Sequence, residues 1–294
     1  MIKGIFAPIP TPFDENEAIA YDRLAANLER WFATDLTGVV VLGSNGEYVL
    51  LTTEEKRELI SFVCRHAPAG RPVIAGTGGE STREAIELSR HAADCGAAAA
   101  LVITPAYYKG AMTDAALAAH FTAVADASPI PVMLYNMPRN TGINMSSKLV
   151  IELSKHPNIA GIKDSGGNIV QIAEIIAGVR PDFAVFAGSG SFLYPTLALG
   201  GVGGTLAVAN VIPNECARIL RLVEAGEHDE ARRLQLAILE INNAVTGKYG
   251  VGGLKAALDL LGYYGGNPRR PIQPAKPAER DDLRRMLAGL GYQV

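Results

Sequence analysis

Eight times between residues 5 and 225, a short apolar run gives way to a helical window, and this repeat restricts the fold more than any other feature of the chain. The strand-like runs are Ile5–Ile9, Gly38–Leu42, Pro72–Gly76, Ala97–Thr104, Ile130–Tyr135, Ile159–Lys163, Phe183–Ala187 and Gly203–Val208. The helical windows that follow them are Tyr21–Ala33, Thr53–Arg65, Ser81–Cys95, Asp114–Ala127, Ser146–Ser154, Ile169–Val179, Ser191–Ala198 and Pro213–Ala225. The runs are continuously apolar rather than alternating, as strands covered on both faces require. Eight such units favour a closed (β/α)8 barrel, an α/β architecture, over an open doubly wound sheet. Ser81 stands three residues before Glu84, which predicts a capping box, and Pro213 suits a first helical turn. After Gly226 only helices are expected, at Asp229–Val245, Gly253–Leu261 and Ala278–Leu287. Residues 1–225 therefore read as the barrel and 226–294 as a helical extension, with Gly265–Pro277 an ordered Pro- and Gly-rich turn.

Composition narrows the function classes. A chain of 294 residues can bury a sufficient core without disulfides or a structural metal. A formal net charge of −3 with no basic patch argues against nucleic acid as a partner. Cys64, Cys95 and Cys216 are widely spaced without a CxxC pattern, which suggests buried thiols in a reducing compartment. No signal peptide is visible and no run of about 18 apolar residues is uninterrupted, so no membrane span is expected and the cytoplasm is the default.

In a barrel of this kind the residues just after each strand share one face, where active sites lie. That face would collect Gly43-Ser44-Asn45-Gly46-Glu47, Tyr107 and Tyr108, Tyr135 through Gly142 with Arg139, Lys163 and Ser165, Gly188 through Ser191, and Thr205 on the eighth run. Lys163 ends the run Ile159–Lys163, its stem between apolar neighbours, where desolvation disfavours the ammonium and leaves a usable nucleophile. The list holds one amine, several hydroxyls and two tyrosine sources. All five histidines (His66, His91, His120, His156, His228) fall in helices or helix–loop joints away from it, so a metal site is poorly supported. No P-loop or strand-linked GxGxxG is present, and no cofactor is expected. Gly188–Ser191 reads either as an anion site or as a tight turn. A lysine beside tyrosine and serine suits Schiff-base chemistry, with the amine attacking a ketone and a phenol moving a proton at a nearby carbon.

Together these residues resemble the pyruvate-dependent class I aldolases of the dihydrodipicolinate synthase and N-acetylneuraminate lyase family. The resemblance runs from Pro10-Thr11-Pro12-Phe13 to the C-terminal helices. Its specific marks are Gly43-Ser44-Asn45-Gly46-Glu47, Tyr135-Asn136-x-Pro138 and Gly161-Ile162-Lys163-Asp164-Ser165. It implies a TIM barrel in which Lys163 forms the Schiff base with a 2-oxo acid and Tyr135 is the general acid/base. Ser44 and one tyrosine of the Tyr107–Tyr108 pair would complete a proton relay, that tyrosine visiting a neighbouring subunit's site. The Ser44–Asn45–Gly46 turn would hold the pyruvyl carboxylate, with Ser165, Arg139, Gly188 and Thr205 as further substrate contacts. The implied partners are pyruvate or a related 2-oxo acid and an aldehyde, and the implied assembly is a homotetramer built from two dimers.

Substrate choice follows from departures within the resemblance. Synthases of the lysine precursor usually place one residue and then an arginine after the proline of strand five. Here Arg139 follows Pro138 directly and Asn140 occupies the arginine position. Those synthases also tend to carry two threonines where this chain has Ser44-Asn45. The Ser-Asn pair, Asn140-Thr141-Gly142, Lys163-Asp164-Ser165-Gly166-Gly167 and Leu261-Gly262-Tyr263-Tyr264-Gly265-Gly266 are more similar to 4-hydroxy-2-oxoglutarate aldolase. The expected reaction is cleavage of 4-hydroxy-2-oxoglutarate, or a close relative, to pyruvate and an aldehyde such as glyoxylate. The alternatives are condensation of pyruvate with aspartate semialdehyde and a sugar-acid aldolase or dehydratase.

Overall fold

Eight parallel strands close on themselves in chain order, β1 pairing with β8 to complete the ring. They are β1 (Gly4–Pro8), β2 (Gly38–Val41), β3 (Val73–Gly76), β4 (Ala99–Ile103), β5 (Val132–Asn136), β6 (Ile159–Asp164), β7 (Ala184–Ala187) and β8 (Gly203–Thr205). The structure, a computed structural model, describes residues 2–294. The (β/α)8 barrel expected from the apolar runs is therefore present. Every strand is buried on nearly all its positions, which is why its sequence does not alternate.

The surrounding helices are α1 (Tyr21–Phe32), α2 (Thr53–His66), α3 (Thr82–Asp94), α4 (Asp114–Ala127), the single turn α5 (Pro138–Thr141), α6 (Ser147–Leu153), α7 (Ile169–Gly178), α8 (Leu193–Ala198) and α9 (Pro213–Glu224). Pro213 sits in the first turn of α9, where its missing N–H costs nothing. The capping box is at α2 rather than α3. Thr52 Oγ1 accepts from the Glu55 N–H at 3.2 Å and Glu55 Oε2 accepts from the Thr52 N–H at 2.9 Å. At α3 only the Ser81 half is made, because the Glu84 carboxylate turns to Lys56 Nζ at 3.3 Å.

Inside the ring, Phe6, Val40, Ile74, Leu101, Met133 and Phe186 fill the barrel below its carboxyl face. A ring so small leaves positions with no room for a Cβ: one on Gly203 would lie 2.1 Å from the Gly4 carbonyl oxygen at the β8–β1 closure. Strand β8 is shorter than the expected Gly203–Val208, since the chain curls into a 3₁₀ turn over Ala207–Asn210. Asn210 steers that curl by donating to the carbonyls of Pro8 and Ala207, both at 3.0 Å.

Beyond Gly226 lie α10 (His228–Ala237), α11 (Leu239–Asn243), α12 (Gly250–Leu260) and α13 (Pro277–Gly289). The single helix expected over Asp229–Val245 is divided, and its end becomes a π-helical turn over Ala244–Lys248. Thr246 Oγ1 bonds back to the Asn242 carbonyl at 2.6 Å, a local competitor for the helical ladder. Such π turns concentrate at functional sites, and this one overhangs the barrel mouth. Among the described residues, no helix is long and apolar enough to cross a membrane.

Candidate active site

The parallel register of β5 and β6 sets Tyr135 directly beside Lys163 at the carboxyl end of the barrel. Both point inward, and both are nearly inaccessible (4% and 3% exposed). Lys163 Nζ lies 3.9 Å from the centroid of the Tyr135 ring, and the Tyr135 hydroxyl is 3.1 Å from Ser44 Oγ. Burial pushes the Tyr135 phenol up, but the Lys163 charge and hydrogen bonds from Ser44, Lys163 and Ser165 outweigh it and leave the phenol below its usual value. A phenol whose anion is favoured in this way is suited to moving a proton.

Alternation along the strands sends the next residues outward, where they fix the loop that follows. Asp164 Oδ2 accepts from Asn136 Nδ2 at 2.8 Å across the β5–β6 pair, and Asp164 Oδ1 accepts from the Gly166 N–H at 2.8 Å. Asn136 also donates to Asn144 Oδ1 at 2.8 Å. The Gly188 N–H, just past β7, bonds the Asp164 carbonyl at 2.7 Å. Ser165 is thereby held between two strand ends, within reach of the Tyr135 hydroxyl. Gly188 has to be glycine for this: a Cβ there would meet Ser165 Oγ at 2.0 Å and the Asp164 carbonyl oxygen at 2.5 Å. Gly188→Ala is accordingly expected to push Ser165 aside and lower kcat/KM by about 10²-fold, the effect of a misplacement near 1 Å. Steady-state kinetics on a variant that keeps its unfolding transition reads this directly, and parental kcat/KM would contradict it.

These groups line a cavity of about 430 Å³. Ser44, Asn45, Tyr135, Arg139, Lys163, Ser165, Gly188 and Thr205 all contribute to its wall. Ser44 and Asn45 open a 3₁₀ turn over Ser44–Gly46, whose leading N–H groups have no acceptor inside the turn. Gly46 lies beneath: its N–H goes to the Gly43 carbonyl at 2.9 Å, and its own carbonyl accepts from Thr11 Oγ1 at 2.7 Å. Arg139 is at the mouth, exposed, its Nη2 3.3 Å from the Gly247 carbonyl oxygen.

Tyr107 and Tyr108 do not reach Ser44 or Tyr135 within one chain. Their rings stand edge to face with centroids 5.1 Å apart, 78% and 72% exposed. The Glu80 carboxylate anchors their loop by accepting from the N–H groups of Ala106 and Tyr107. Both tyrosines are presented outward.

Several wall residues escape a strand-end scan. Asn243, Thr246 and Gly247 come from the end of α11 and the π turn, and no local motif marks them. Asn242 holds the loop after β7 by accepting from the Gly190 N–H at 3.1 Å and donating to Ser191 Oγ at 2.7 Å. Gln235 does the same through the Gly190 carbonyl at 2.6 Å. Tyr48 packs against the barrel core that includes Tyr135, and burial together with Tyr135, Glu80 and Glu84 pushes its phenol up to about 12. Its place directly after Glu47 was the available signal.

Comparison with known proteins agrees with this geometry. The sequence model of the Dihydrodipicolinate synthetase family matches residues 1–289. A probable mitochondrial 4-hydroxy-2-oxoglutarate aldolase of Emericella nidulans is 42% identical over 277 residues, covering 92% of this chain and 89% of that protein. A 4-hydroxy-tetrahydrodipicolinate synthase of an Exiguobacterium species is 35% identical, covering 93% of each chain. The structure is also similar, with a TM-score of 0.94 at 32% identity and 99% coverage of both chains, to the chloride-inhibited dihydrodipicolinate synthase of Acinetobacter baumannii solved with pyruvate. The chain belongs to the dihydrodipicolinate synthetase family of pyruvate-dependent lyases.

Proposed function

We infer that the protein is a Schiff-base aldolase that cleaves 4-hydroxy-2-oxoglutarate, or a close 4-hydroxy-2-oxo acid, to pyruvate and glyoxylate or a similar aldehyde. The observation that carries this reading is the buried Lys163–Tyr135–Ser44 array, with Nζ over the phenol ring at 3.9 Å and the phenol 3.1 Å from Ser44 Oγ. The Lys163 amine attacks C2 of the substrate, and loss of water gives an iminium. Tyr135, as phenolate, takes the proton of the 4-hydroxyl. The C3–C4 bond breaks, its electron pair forming an enamine while C4 leaves as the aldehyde. Protonation of the enamine at C3 and attack of water on C2 then release pyruvate and the free amine. Ser44 keeps the phenol oriented, and the Ser44–Asn45 turn faces the C1 carboxylate with its free N–H groups.

Two features favour the shorter, 4-hydroxylated substrate. Residues Pro138–Thr141 form one helical turn, so moving an arginine by one residue swings its side chain by about 100°. Arg139 accordingly reaches over to the Gly247 carbonyl, and Asn140 stands where the lysine-pathway synthases carry their arginine. Ser165, its Oγ 3.5 Å from the Gly188 carbonyl oxygen, supplies a hydroxyl beside the Tyr135 phenol, suited to a 4-hydroxyl. The experiment compares pyruvate release from 4-hydroxy-2-oxoglutarate with pyruvate consumption alongside aspartate semialdehyde. The expected kcat/KM is about 100-fold higher for cleavage, roughly 2.7 kcal/mol of transition-state preference. A preference of that size for the condensation would make Arg139 a semialdehyde ligand and overturn the substrate assignment.

A further inference from the structure

The turn bearing Ser44 and Asn45 rests on a charge pair that has no part in the steps above. Glu47 follows Asn45 by two residues and holds a left-handed conformation (φ 58°), uncommon for a side chain larger than glycine. Its Oε1 lies 2.6 Å from Lys255 Nζ on α12, and neither charged side chain has any accessible surface. Glu47 Oε2 accepts from the Arg269 N–H at 2.7 Å. Lys255 Nζ also donates to the Asn267 carbonyl at 3.1 Å and lies over the Phe13 ring, 4.5 Å from its centroid. Arg269 continues the tether, gripping Glu55 of α2 through hydrogen bonds of 2.8 and 2.7 Å and the Leu50 carbonyl at 2.9 Å. The stretch from Glu47 to Glu55 is thus tied by ionic groups to α12 and to the segment between α12 and α13. A buried ion pair stabilises a fold poorly compared with well-packed apolar groups, and its best-attested use is to fix one arrangement among several. Here the element it ties down is the chain just after the Ser44–Gly46 turn.

We propose that Glu47 and Lys255 are positioning residues for the 2-oxo acid, seating the Ser44–Asn45 donors at the height where they meet its C1 carboxylate. The proposal rests on the aldolase reading of the cavity. It assigns to the C-terminal helices a share in substrate affinity that does not pass through any residue touching the substrate.

Two variants test it. Glu47→Asp keeps the charge but withdraws it by one methylene. Glu47→Gln/Lys255→Met removes both charges at nearly constant volume, so no buried charge is left unpaired. On the intact enzyme, three quantities are measured: the pyruvate concentration that half-saturates borohydride-trappable imine, KM and kcat for the cleavage, and the calorimetric Kd for pyruvate. Each variant is expected to raise half-saturation, KM and Kd by about tenfold or more while kcat changes by less than about threefold, the signature of lost uniform binding. A purely structural role would leave pyruvate affinity untouched in any variant that folds. Parental affinity in Glu47→Asp, whatever the fate of the double variant, would overturn the proposal, as would a fall in kcat at unchanged KM. Absence of imine in the wild-type enzyme would instead remove the aldolase reading, and the calorimetric Kd would still report on the turn.

Discussion

Lys163→Ala is expected to lower turnover by on the order of 10⁴–10⁶-fold, the scale of losing a covalent nucleophile. Among the described residues, no second lysine lines the cavity, and the Arg139 guanidinium offers no amine to form an imine. The loss should reflect chemistry rather than unfolding. Lys163 is flanked on its own strand by Ile162 and Asp164 and beside it by Tyr135 and Phe186, all buried. Lys163→Met, which keeps most of the side-chain volume, should therefore hold the fold and be equally inactive. Steady-state assays with a thermal unfolding curve on both variants check this. Activity within about tenfold of the parent would require a mechanism without the imine.

Tyr135→Phe is expected to cost on the order of 10²–10⁴-fold in cleavage, the usual worth of a general acid/base. The phenyl ring would remain beneath Lys163 Nζ, so the variant isolates the hydroxyl from the packing. Pyruvate imine should still be trapped on the variant, because attack of the amine on C2 does not need the 4-hydroxyl proton removed. The pH profile separates the roles further. The phenol lies below its usual value because Lys163, Ser44 and Ser165 outweigh the effect of burial. Its deprotonation should therefore give wild-type kcat a limb that rises with pH and disappears in Tyr135→Phe. A loss below about tenfold, or an unchanged limb, would assign the proton transfer to another group.

The barrel was legible because its strands are short, continuously apolar and each followed by an amphipathic window, a pattern few other architectures produce. Lys163, Tyr135 and Ser44 were legible for a related reason: each breaks an apolar run at the strand end that faces the site. Residues placed by tertiary packing were not. The helix read over Asp229–Val245 keeps its apolar spacing throughout, yet it divides, and its end forms the π turn that brings Asn243, Thr246 and Gly247 over the mouth. Lys255 reads in sequence as an ordinary helical lysine, and only docking of α12 under the β2 loop shows it wholly buried against Glu47. Tyr107 and Tyr108 follow β4 as the scan required, and their loop, with its backbone anchored by Glu80, presents them outward from their own chain. The one-residue offset at Arg139 was legible as a departure that redirects the side chain, and the helical turn over Pro138–Thr141 sets the size of that change.

The central claim, that Lys163 carries the substrate covalently, is tested most directly by reducing the wild-type enzyme with borohydride in the presence of pyruvate and mapping the modified peptide. The account predicts one carboxyethyl adduct per chain, on Lys163, with activity lost in proportion to it. No adduct, or an adduct on a different lysine with Lys163 untouched, would contradict it.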